Sequence, residues 1–306
     1  MNERDGEIKG GAGSRAVQVL IALGKSVCYL ALFLGMQVLV VLPVAVAAGV
    51  QSAMGNWEAA EQLYGVLYES ATALTAVSGL LTIAAVLLFY LIRRKKLEES
   101  LWLRRVEGPG LLAGAALAPA LYLGITLAMM ALPEAWMDSY AEASASVGDG
   151  GVGGAIAVVL VAPVVEEFIF RGLIMTRLAR AMPGRLAAAL SAAVFGACHG
   201  HPVWFAYAFA LGVVFGLMDL RLGSIWPSIL AHMVFNAIGQ VFSLLPEDDG
   251  VVMGAYLALL AVAVVLPILA RKGVKALFRP APRPLPAQEG GRPAQPGNDD
   301  WNPWDE

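Results

Sequence analysis

Long apolar runs dominate this chain, and its polar residues gather between the runs instead of alternating with them. A helix needs roughly 20 consecutive apolar residues to cross the hydrocarbon core of a bilayer, so each run is read as a candidate span. Eight are read, approximately Ser26 to Val50, Ala71 to Ile92, Gly110 to Leu132, Gly151 to Met175, Leu186 to Ala197, Val203 to Met218, Ile225 to Leu244 and Val251 to Ala270. The fifth and sixth are short. Between them the polar break His199 to Pro202 predicts truncated or partly re-entrant helices around a wet cavity. The expected fold is all-α, a polytopic membrane protein with about eight transmembrane helices.

Composition agrees. Of 306 residues, 58% are hydrophobic and 15% charged, against about a quarter charged in soluble domains. The mean hydropathy is +0.68. An ordinary soluble enzyme and a disordered protein are excluded, and a net charge of -3 offers no basic surplus for nucleic acid. The only cysteines, Cys28 and Cys198, lie in apolar stretches, which excludes a disulfide framework or a four-cysteine metal site.

Charge then sets the orientation, because Lys and Arg are retained on the cytoplasmic side. They fall before the first run (Arg4, Lys9, Arg15, Lys25) and between the second and third (Arg93, Arg94, Lys95, Lys96, Arg104, Arg105). Others close the fourth (Arg171, Arg177, Arg180, Arg185) or follow the sixth (Arg221). The rest follow the eighth (Arg271, Lys272, Lys275, Arg279, Arg283, Arg292), and together these are all 21. The alternate loops carry only acids, Glu58, Glu61, Glu69, Glu134, Asp138, Glu142, Asp149, Glu247, Asp248 and Asp249. Both termini are therefore expected in the cytoplasm. The division of the chain is a cytoplasmic segment 1–25, a helical membrane domain 26–271 and a Pro-rich, acidic, disordered cytoplasmic tail 272–306 bearing Trp301 and Trp304. The polar first fifteen residues do not resemble a cleavable leader, so the first run is expected to remain as an anchor. Abundant Ala, Gly and Val suggest a bacterial plasma membrane.

An ionisable group inside hydrocarbon costs at least about 2.5 to 3.5 kcal/mol, so the few present point to a site. They are Glu166, Glu167 and Arg171 in the fourth run, His199 closing the fifth, and His232 with Asn236 in the seventh. On a helix Glu167 and Arg171, four apart, stand about 40° from each other and should pair. Glu166 lies about 140° from Arg171 and has no local cation, which leaves it for general-base work. A structural ion cluster of all three is the competing reading. His232 and Asn236 share one stripe, suited to an oxyanion, to a metal ligand with its orienting partner, or to a polar clasp between helices. At 1.5 Å per residue, Glu166 lies about 25 Å from Pro183 and His199 about 22 Å from Gly184, which puts the two at one level. Phe195, one turn before His199, should pack beneath it. His201, beside Pro202, reads as a solvated loop residue.

Taken together, Glu166-Glu167 with Arg171, Phe195 with His199, and His232 with Asn236 resemble the three motifs of the CAAX prenyl protease and bacteriocin-processing family, also called the ABI family. The matched region runs from about Gly151 to Leu245. The resemblance implies an intramembrane endopeptidase in which Glu166 activates water, His199 holds or polarises it, and His232 with Asn236 stabilises the oxyanion. Glu167, Arg171 and Phe195 would shape the site. Two mechanisms remain open, zinc held by Glu166, His199 and His232, or water activated without metal. The implied partners are the lipid bilayer and a peptide or protein substrate, prenylated or membrane-associated, for which a groove opening toward the cytoplasm would be suited. Two other readings are weighed. A catalytically silent scaffold or bacteriocin-immunity factor has no need of an unpaired Glu166. An ion-coupled transporter would spread ionisable groups along a path and show a repeat, and the sequence shows neither.

Overall fold

The computed structural model describes residues 12–94, 96–146 and 151–277. They form helices throughout, in the order α1 (Ala12–Ala53), α2 (Trp57–Glu69), α3 (Ala71–Ile92), α4 (Leu97–Ser100), α5 (Gly108–Met130), α6 (Glu134–Ser146), α7 (Gly151–Leu178), α8 (Gly184–Ala197), α9 (Pro202–Leu222), α10 (Trp226–Ser243), α11 (Asp249–Leu269) and α12 (Arg271–Leu277). All eight apolar runs lie on helices. Six of these, α1, α3, α5, α7, α9 and α11, are long and apolar enough to cross a membrane.

The remaining two show why the site is where it is. With 14 residues α8 extends only about 21 Å at 1.5 Å per residue, so it stops short of a full crossing and leaves His199 within the molecule. The 18 residues of α10 carry Ser228, His232, Asn236 and Gln240, whose polarity lowers its hydropathy. The sixth run, by contrast, is not truncated. Its helix α9 has 21 residues, starting on Pro202 at the first turn and ending where Gly223 takes the left-handed conformation (φ 64°) and donates to the Asp219 carbonyl.

Several sequence boundaries shift. Helix α1 has 42 residues and includes much of the segment expected to precede the membrane domain. Helix α12 occupies the start of the expected tail, while residues 278–306, with Trp301 and Trp304, lie outside the described residues. Two helices not foreseen, α2 and α6, link spans on the side bearing only acids.

Small residues bring the core helices together. A Cβ on Gly212 would fall 2.8 Å from the Ala192 Cβ, and one on Gly216 3.0 Å from the Ala188 Cβ, so α8 and α9 meet nearly backbone to backbone. At Gly114 a Cβ would fall 2.3 Å from the Pro227 carbonyl oxygen, and this closeness joins α5 to α10. The core proper surrounds the C-terminal half of α7, where Ile169, Phe170, Leu173, Ile174 and Met175 are at most 1% exposed.

Lys- and Arg-bearing connections collect at one end of the bundle. Arg177 and Arg180 donate to the Ser100 carbonyl at 3.1 and 3.2 Å, Arg177 also meets the Tyr90 hydroxyl, Ser224 donates to the Arg104 carbonyl at 2.7 Å, and Ile225 N donates to the Trp102 carbonyl at 3.0 Å. Arg171 is the exception. Grouped by sequence with the loop cations, it is 1% exposed inside the protein, because its charge is answered by Glu167.

Candidate active site

Helix α7 does not wind evenly. Two stretches, Ala157–Val161 and Glu167–Met175, adopt the wider π turn, and Glu166 stands between them. Such turns are rare and recur at functional sites because they re-aim side chains without ending the helix. Here they send the two adjacent glutamates to different environments.

Glu167 is fully buried. Its Oε1 lies 3.0 Å from Arg171 Nη1 and 2.9 Å from His232 Nδ1. The i,i+4 pairing expected from sequence is therefore present, and it extends across to α10. The Arg171 guanidinium is also 4.7 Å from the centre of the Phe195 ring and 5.8 Å from that of Phe215, a cation–π environment that holds a buried charge. Gly212 makes room, since a Cβ there would come within 3.4 Å of Arg171 Nη2.

Glu166, 25% exposed, points away from Arg171, and its Oε2 lies 3.6 Å from His232 Nε2. His232 thus sits between the two carboxylates. The Nδ1 faces a carboxylate oxygen and donates to it, which leaves the Nε2 edge toward Glu166.

His199 joins through Phe195. Its Nδ1 donates to the Phe195 carbonyl at 2.9 Å, an acceptor only, so Nε2 of the neutral ring is left with its lone pair. The Phe195 ring contacts His199 edge-on at 4.8 Å between centres and His232 at 6.2 Å. Sequence placed Phe195 beneath His199; in the structure it lies beneath both histidines and is 2% exposed.

These groups border a cavity of about 1010 Å³ whose wall includes Glu166, His199 and Asn236. Asn236 donates through Nδ2 to the Val158 carbonyl at 2.9 Å, within the first wide turn of α7, and its second amide hydrogen is left for another acceptor. His232, 6% exposed, stands behind this wall. Of the pair expected to receive an oxyanion, Asn236 is the one at the cavity surface.

Two further residues complete the picture. His201 caps α9, its Nδ1 accepting from Val203 N at 3.2 Å, while its Nε2 lies 3.2 Å from Ser139 Oγ and its ring packs on Tyr140 and Trp204. It fastens α6 over the cavity and is not simply solvated. Asp219, not singled out from sequence, is fully buried with Ser228 Oγ 2.8 Å from its Oδ2. Its setting in Leu217-Met218-Asp219-Leu220 was the available signal.

Among the described residues no three His, Cys, Asp or Glu side chains gather closely enough to hold a metal ion. Glu166 meets His232 directly, but His199 reaches them through the Phe195 ring. The donor set as placed does not fit a three-ligand zinc site.

Residues 150–238 match the family model described as type II CAAX prenyl endopeptidase, Rce1-like. No curated protein and no solved structure matches the chain.

Proposed function

On the match of residues 150–238 to the Rce1-like model of CAAX prenyl endopeptidases, we propose that this multi-pass membrane protein is an endopeptidase that hydrolyses a peptide bond inside its intramembrane cavity. The observation carrying the reading is the division of labour between neighbours. Glu167 is spent on Arg171 and His232, whereas Glu166 lines the cavity together with His199 and Asn236.

The chemistry follows from these atoms. A water on the cavity wall gives a proton to the Glu166 carboxylate while its other hydrogen is accepted by His199 Nε2, and its oxygen adds to the carbonyl carbon of the substrate. The free amide hydrogen of Asn236 meets the oxyanion that forms. Collapse of the tetrahedral species breaks the C–N bond, and the proton held on Glu166 passes to the leaving amine. His232 takes no place in the wall. Its ring is oriented by Glu167 through Nδ1, and its Nε2 lone pair, 3.6 Å from Glu166 Oε2, faces that carboxyl as an acceptor once Glu166 has taken the proton from water.

The test is cleavage of a quenched peptide library, with and without a prenyl group, by purified wild type and by Glu166→Ala, His199→Ala and Asn236→Ala variants. Loss of cleavage in all three supports the reading; cleavage surviving every substitution overturns it. The mechanism as written uses no metal, so a chelator should leave the rate unchanged. Stoichiometric zinc with inactivation on chelation would place the histidines in a ligand set instead.

A further inference from the structure

The cavity is built from one end of the bundle. Its wall takes Thr72 and Thr75 from the start of α3, Met129 and Met130 from the end of α5, and Gln240 and Ser243 from the end of α10. Antiparallel neighbours bring those termini to the same level, together with α6, which is fastened there by Ser139 and Tyr140 to His201. Thr75, Met130 and Ser243 at this end are exposed as well as lining, and Leu34, midway along α1, opens the wall sideways as well.

Toward the other end the path is closed. Below the site Leu173, Ile174, Met175 and Leu178 are at most 2% exposed and pack in one core cluster with Phe170, which forms part of the wall. Beyond them stand the connections with Arg93, Arg94, Arg104, Arg105, Arg177, Arg180, Arg185 and Arg221, tied to each other through Ser100, Trp102 and Arg104. No Lys or Arg occurs in 51–70, 133–150 or 245–250, the connections at the mouth. Positively charged connections remain on the cytoplasmic side during insertion. By that rule the mouth would lie on the opposite side, away from the cytoplasm-facing groove expected for prenylated tails.

We infer that substrates reach Glu166 from the extracytoplasmic face, so that the chain acts on peptides or protein segments displayed there. This rests on the hydrolase reading above and adds the side of access. The wall fits a segment with large apolar side chains, since Tyr122, Tyr140, Trp204, Tyr207 and Phe235 line the cavity.

The native Cys198, exposed on the cavity wall beside His199, reports access directly. A full-length Cys28→Ser variant is prepared in sealed right-side-out and sealed inside-out vesicles and treated with a membrane-impermeant maleimide. A second variant lacking both native cysteines and carrying Lys272→Cys reports the basic end. Each vesicle type is also given an impermeant quenched peptide with aromatic residues near the cleavable bond, before and after detergent. Expected is labelling of Cys198 only in right-side-out vesicles, the reverse for Lys272→Cys, and cleavage at least an order of magnitude faster in right-side-out vesicles until detergent removes the difference. Labelling of Cys198, or cleavage, confined to inside-out vesicles overturns the inference while leaving a hydrolase. Outside labelling of Cys198 with no cleavage even in detergent upholds the access side and overturns the hydrolase reading instead.

Discussion

His232 Nδ1 lies 2.9 Å from Glu167 Oε1, a hydrogen bond between residues 65 positions apart that ties α10 to α7 in the middle of the bundle. The same oxygen faces Arg171 at 3.0 Å. One buried carboxylate thus answers both a guanidinium and an imidazole.

Glu167→Gln should destabilise the protein strongly, because it leaves the Arg171 charge buried without its counter-ion. Breaking such a pair costs about 3 to 5 kcal/mol. A thermal midpoint measured in detergent should fall well below that of wild type, with activity lost as His232 loses its orientation. An unchanged midpoint would show that Arg171 is held by Phe195 and Phe215 alone.

Glu166→Gln should do the opposite. At 25% exposure the side chain carries no packing that the amide cannot replace. Cleavage should fall by roughly 10²- to 10⁴-fold, the usual contribution of a general base, while the thermal midpoint stays within error of wild type. A parallel fall in both would mark Glu166 as structural.

Asn236→Ala should lower kcat by about 10²- to 10³-fold with KM little changed, the pattern of a donor that acts on the oxyanion only in the transition state. The Val158 carbonyl also loses its partner. Steady-state kinetics separates the roles, since an Asn236 that only clasps α10 to α7 would reduce stability without this kcat effect.

Gly114→Ala should cost about 1 to 3 kcal/mol by forcing α5 away from the Pro227 carbonyl. Gly124→Ala, ten residues along the same helix, is the matched control, because a Cβ there meets nothing within 4 Å. Thermal unfolding of the two variants side by side tests whether the α5 to α10 contact is as tight as the distances imply.

How far these relationships could be read in the sequence depends on their range. The Glu167 and Arg171 pair is local, four residues on one helix, and was legible. So were the short α8 and the apolar runs, since each is a property of a single segment. The position of His232 between two glutamates was not, because it depends on how α10 packs on α7, between residues 65 positions apart in the chain. Angular reasoning at an even 100° per residue could not foresee the wide turns on either side of Glu166. It predicted a Glu166 turned away from Arg171, which holds, but gave no hint of its histidine neighbour. Asp219 was missed for a related reason: near a charged turn, a residue that packs inward looks the same on paper as one that faces water. His201 looked free because its partners, Ser139 and Tyr140, belong to a helix the hydropathy pattern does not reveal.

The uneven winding of α7 makes residue spacing there a ruler as well as a scaffold. Removing one position between Glu167 and Arg171 would turn the guanidinium by about one residue's rotation, roughly 100°, and carry Arg171 off the acid it faces. Between these two residues spacing therefore matters as much as identity, whereas a deletion after Arg171 could be taken up by tightening the wide turn to an ordinary α turn.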